Sequence, residues 1–216
     1  MEKAKIITAV EDFVKDYLEG KESSHNWWHI YRVRETALYI QSEEGSGDRF
    51  IIELAALLHD VGDSKIDSSG DGSKMVSRLL TKLGVSVPVR EHVLHILNYI
   101  SFRDRFDACM ERSDELNIVQ DADRLDAIGA IGIARAFSYG GSAGKEIYIP
   151  GQKPETYRTK SEYQKSDSST INHFYEKLLL LKEMMNTDAG YRIALHRHKF
   201  MEDFLNQFYN ELSLKS

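Results

Sequence analysis

Apolar residues recur every three or four positions along most of this chain, and only three prolines interrupt them. That spacing marks one face of an α-helix, so a chain patterned this way folds as packed helices. Leu, Ala, Glu, Lys, Arg and Ile dominate, and they favour helix as well. The pattern predicts helices over about 2–19, 28–42, 48–61, 73–84, 88–101, 114–139, 168–186 and 188–213. In the first, Ile6, Val10, Phe13, Val14 and Leu18 share a face, and Gly20 is a natural stop. In the third, Ile51, Leu54, Leu57, Leu58 and Val61 form the apolar face, and Gly62 closes it. Residues 127–137, AIGAIGIARAF, are apolar on nearly every side, which predicts a place in the centre of the fold. Trp27 and Trp28 are expected in the core or in a pocket wall. Asn186-Thr187-Asp188 divides the last two helices and can cap the second.

The expected architecture is all-α, a single domain over residues 1–216. Its core covers about 20–140, a loop 140–167, and C-terminal helices 168–213. That loop holds four glycines and two prolines, and long loops of this kind are usually lids or mobile segments. Formal net charge is −6, so no overall basic field draws in nucleic acid or an anionic membrane. A nucleotide would need a local positive site, for which a metal is the obvious means. The one cysteine, Cys109, has no internal disulfide partner, which fits a reducing compartment. The opening residues MEKAKIITAVEDF carry acids where a secretory signal needs an apolar run, and no apolar stretch reaches membrane length. These readings predict a cytoplasmic protein.

Metal-capable side chains stand at the ends or in the middle of the core helices. His29 opens a helix as HIYRV, and the apolar LAALL runs directly into His59-Asp60. Further on, VQDADRLDA places Asp121, Asp123 and Asp126 in a helix expected to be buried. An ionised carboxylate in such a setting is costly unless it is paired or holds a metal. Two imidazoles and two carboxylates suit a divalent ion such as Mn, Fe, Co, Ni or Mg. Four protein ligands leave octahedral positions open for water and a substrate oxygen, and the ion makes water a nucleophile near neutral pH.

The ordered pattern H…HD…D, with the words SHNWWHIYRV, LAALLHDVGDSK, IVQDADRLDAIGAIGIARAF and NHFYEKLLLLKEMM, resembles the HD superfamily of metal-dependent phosphohydrolases, in its bacterial YpgQ/YedJ-type branch. The likeness runs from about residue 20 to 210. It implies an HD-domain helical bundle with additional C-terminal helices and one metal ion, manganese preferred, on His29, His59, Asp60 and Asp123. It also implies hydrolysis of a nucleotide, with a nucleoside triphosphate giving a monophosphate and pyrophosphate. The substrate is then a small molecule, and the protein a monomer or homodimer.

Each residue also has a plainer reading. His29 could pack or cap a helix. His59 could favour a helix C-terminus, but the charge of Asp60 is wrong for that end. Asp121 remains an alternative to Asp123 as the third carboxylate, while Asp121 and Asp126 could pair with Arg124 or with other helices. Asp63 either sits on a solvated turn or orients and deprotonates water, and Lys65 either sits on that same turn or contacts phosphate. His92 and His95 share a helix face; they read as packed or substrate-facing rather than as ligands of a second ion. His25 reads as lining the pocket, and Arg103, Tyr139 and Lys145 flank loops that could close over phosphates. Among His173, His196 and His198, the last two are expected on the surface. The competing functions are a phosphomonoesterase or phosphodiesterase of the same fold, a non-catalytic nucleotide-binding protein, and an oxygenase with a di-iron centre that would need more histidine ligands.

Overall fold

A computed structural model describes residues 2–20, 26–61, 72–100, 111–157 and 168–213. The chain divides into two compact units, Met1–Ala122 and Asp123–Ser216. Among the described residues every regular element is helical, as the sequence pattern predicts. None of those helices is long and apolar enough to cross a membrane.

The first unit begins with α1 (Lys3–Leu18), which buries Ile6, Ile7, Val10, Val14 and Leu18. Helix α2 (Trp27–Glu44) starts where the Asn26 side chain accepts the His29 amide at 3.1 Å. It stops at Gly45, whose φ of 66° is left-handed and suits a residue without Cβ. A short turn leads into α3 (Arg49–Leu58), so α2 and α3 form an antiparallel pair, and α3 also packs on α1 and α5. Every residue of α3 except Arg49 and Glu53 is buried. Burial of one such leucine or isoleucine contributes about 1.5–3 kcal/mol. Helices α4 (Gly72–Lys82) and α5 (Val87–Tyr99) pack on each other, and α6 (Asp114–Asp126) begins in this unit.

Asp48 fastens the α2–α3 turn. Its Oδ1 accepts the amides of Phe50 at 2.7 Å and Ile51 at 3.4 Å, and its own amide donates to Glu115 at 2.9 Å. Asp48→Ala removes an N-cap and is expected to cost about 1 kcal/mol. A thermal melt that shows no loss would refute that role.

In the second unit, α7 (Gly129–Ser142) is followed by an irregular stretch. Helix α8 (Thr170–Glu176) and the 3-10 helix Leu178–Met184 come next, and α9 (Asp188–Leu212) ends the fold. Helix α9 packs on α7 and on the 3-10 helix. Thr187 caps α9 by accepting the Gly190 amide at 3.0 Å, as the sequence suggests. Phe174 stacks on Phe204 at 5.8 Å, and Phe137 meets Phe204 edge-on at 5.8 Å.

Several expectations need correction. The helix predicted over 114–139 is two helices, because Gly129 adopts φ 75° and the chain turns there. The one predicted over 168–186 is also broken, at Lys177, whose backbone is not helical. Residues 127–137 are not the centre of the fold. Ile131 is 41% exposed, Ala130 and Ala134 are exposed, and α7 turns Gly129, Gly132 and Gly140 inward instead. Glycine permits close backbone approach, so a helix rich in it packs through its bare side and leaves larger residues outside. Trp28 is no core residue either: it is 64% exposed and lies edge-on to Tyr31.

Candidate metal centre

The antiparallel pairing of α2 and α3 sets the first turn of one beside the last turn of the other. His29, in the first turn of α2, is 2% exposed. His59 caps the C-terminus of α3, and buried Asp60 follows it. The imidazole Nε2 atoms of His29 and His59 are 3.1 Å apart. Asp60 faces both rings with different oxygens, Oδ2 at 3.5 Å from His29 Nε2 and Oδ1 at 3.5 Å from His59 Nε2. Asp123 is the first residue past the boundary of the first unit, but it rides on the unbroken helix α6, whose residues 114–122 belong to that unit. One ligand atom from each of His29, His59 and Asp123 lies within 4.8 Å of the others.

The donor chemistry fits a divalent cation. Two nitrogens bound in adjacent octahedral positions at about 2.1 Å stand about 3.0 Å apart, close to the 3.1 Å between the rings. His59 Nδ1 is 2.8 Å from the Ala56 carbonyl oxygen. A carbonyl only accepts, so Nδ1 carries the proton, and a neutral ring then presents the Nε2 lone pair to the cluster. The bare pairing of two histidines with an acid is the plainer alternative, but it gives no reason for a third element to bring a second carboxylate to the same point.

Asp121 is completely buried and is not among the three clustered residues. Two residues apart on a helix, it and Asp123 point about 200° apart, so one carboxylate at most can face the rings. Asp126 pairs with Arg135, whose Nη1 donates to its Oδ2 at 2.6 Å and to its carbonyl at 3.2 Å. Arg197 Nη1 donates to the Leu125 carbonyl, and Arg124 to that of Met184. Burial lowers the pKa of Arg197, partly offset by Asp126. These arginines pin the last turn of α6, the turn that carries Asp123. The sequence pattern assigns no such role to Arg135 or Arg197, because a continuous helix over 114–139 has no end there to secure.

Among the other predicted site residues, His92 Nε2 lies 2.9 Å from Ser113 Oγ and 3.5 Å from Glu115, while Ser113 Oγ accepts the Leu116 amide. His92 thus braces the start of α6. His95 Nε2 donates to the Glu111 carbonyl at 2.8 Å. Tyr139 is exposed, as is His196, whereas His198 is partly buried beside Glu202. His25, Asp63, Lys65 and Arg103 lie outside the described residues.

The HD domain family matches residues 27–128, a span that contains His29, His59, Asp60 and Asp123. YpgQ of Bacillus subtilis is 39% identical over 214 residues, covering 98% of this chain and 96% of its own. A crystal structure of YpgQ in complex with ADP superposes with a TM-score of 0.78 at 35% identity, covering 98% of this chain and 97% of that one. An HD-superfamily hydrolase from Bacillus thuringiensis is 45% identical with a TM-score of 0.78, covering 98% and 99%. A protein from Lactobacillus plantarum reaches a TM-score of 0.87 at 35% identity, covering 97% and 98%.

Proposed function

This chain belongs to the HD domain family, and from that premise we propose that it is a metal-dependent phosphohydrolase that converts nucleoside triphosphates to monophosphates and pyrophosphate. The observation that carries the reading is the convergence of His29, His59 and Asp123 within 4.8 Å, with Asp60 against both rings. The ADP complex of YpgQ supports a nucleotide as the substrate class.

In this reading the chain works as one HD domain over residues 1–216. His29 and His59 hold the ion through Nε2, and Asp60 and Asp123 supply the anionic ligands; manganese is preferred. Such an ion supplies Lewis acidity, which makes water nucleophilic near neutral pH and offsets phosphoryl charge. Asp63, three residues past the HD pair, orients the water or takes its proton. Lys65 and His25 meet the phosphates and steady the charge that develops there. His92 braces the start of α6, ten residues and about 15 Å along that helix from Asp123, so in this reading it stays outside the reacting site. Attack at the α-phosphorus breaks its bond to the bridging oxygen, and pyrophosphate leaves.

Metal analysis of the purified protein, followed by a panel of nucleotides with excess manganese and separate detection of pyrophosphate and orthophosphate, tests this. Pyrophosphate with an equal amount of monophosphate is the expected result. Orthophosphate alone would move the enzyme to the phosphomonoesterases. No turnover of any nucleotide or generic phosphoester by metal-loaded protein would overturn the proposal.

A further inference from the structure

Arg34 joins three helices. Its Nε donates to Glu53 Oε1 of α3 at 2.9 Å, and Nη2 meets the same oxygen. Its Nη1 lies 2.9 Å from Glu11 of α1 and 3.6 Å from Glu35 on its own helix. The side chains of Arg34, Glu53 and Glu11 are only 19%, 13% and 22% exposed. Burial opposes the guanidinium's charge, but Glu53, Glu11 and Glu35 outweigh it, so the pKa of Arg34 lies above its ordinary value. Glu53 is the one acid in RFIIELAALL, a helix otherwise buried apart from Arg49.

The pair also shares the register of the metal-centre histidines. Five residues along α2 from His29 lies Arg34, and six residues back along α3 from His59 lies Glu53. In an antiparallel pair that is the next rung, about 7–9 Å from the imidazoles at 1.5 Å per residue.

We propose that Arg34 is a positioning residue for the metal centre: its bridge to Glu53, braced by Glu11, fixes the sliding register of α2 against α3 and so the approach of His29 to His59. The inference rests on the metal-centre reading above. A slip of one residue moves a helical side chain by about 1.5 Å and about 100°, whereas a metal site tolerates about 0.2 Å in its ligand distances. Apolar packing alone grips α3 around nearly its whole girth and is non-directional. The ionic fork supplies the directional contact.

The test is calorimetric titration of Mn(II) into metal-free protein, with thermal melts of the same samples, for Arg34→Met, Arg34→Lys, Asp48→Ala and His59→Ala. Arg34→Met is expected to bind manganese about 10–100-fold more weakly, the loss typical of groups that orient ligands. Arg34→Lys should fall between, since an ammonium cannot match the guanidinium fork. Asp48→Ala, loosened at a cap in the same hairpin, should bind as the parent does. Binding by Arg34→Met within about twofold of the parent, or a loss no larger than that of Asp48→Ala, overturns the inference, provided His59→Ala has lost binding. Parent-like binding by His59→Ala overturns the metal-centre reading instead. Should Arg34→Met fail to fold, Glu53→Gln removes the countercharge while keeping shape, and unchanged manganese affinity there overturns the inference as well.

Discussion

Asp123→Ala is expected to abolish tight manganese binding and to lower kcat/KM for nucleotide hydrolysis by at least about 10³-fold, while the protein stays folded. The size follows from what the carboxylate does. His29 and His59 are neutral donors when they bind a cation, so much of the countercharge must come from Asp60 and Asp123. Loss of a group that merely orients a ligand costs about 10–100-fold in affinity, and loss of a ligand itself costs more. Asp123 is only half-buried, so alanine leaves no large cavity and stability should change by about 1 kcal/mol or less. Manganese titration, nucleotide turnover and a thermal melt on one preparation separate the effects. Activity at the parent's level would remove Asp123 from the centre and with it the proposed chemistry. Asp126→Asn, which weakens the pairing with Arg135 and removes the charge that acts on Arg197, should lose far less.

Much of this centre is legible in the chain alone, for a physical reason. A histidine at a helix start and a His-Asp pair ending LAALL are out of place in core-forming segments unless something holds them. The structure brings both histidines together with Asp123, and Asp60 lies against the rings. Arg34 and Glu53 are not legible in the same way, because charge pairs between separate helices have no spacing rule. Only the lone acid inside RFIIELAALL hints at them. The error over 127–137 has a different origin. Hydrophobic periodicity counts apolar residues without weighing their size, so AIGAIGIARAF reads as a buried core. In the structure the core helix of the first unit is α3, whose leucines and isoleucines fill volume, whereas α7 packs through glycines. Gly129 is the available sign of the break, since a left-handed residue inside a helical pattern ends the helix.

Gly132→Ala should be strongly destabilising, although alanine is the better helix former by about 1 kcal/mol. A Cβ at residue 132 would stand 2.2 Å from the carbonyl oxygen of Ala127 and 2.4 Å from its carbonyl carbon. Both are backbone atoms of the turn between α6 and α7, so no side chain can rotate out of the way. Either the turn moves or the first turn of α7 opens. The expected cost is about 3 kcal/mol or more, at the upper end for overpacking, which in a chain of this size lowers Tm by roughly 6–12 °C. Gly141→Ala on the same helix provides the comparison, because nothing lies within 4 Å of the added atom. It should leave Tm unchanged or raise it slightly. Equal melting of the two variants would show that the α6–α7 turn yields freely, and that the close approach at Gly132 does not hold the end of the helix that carries Asp123.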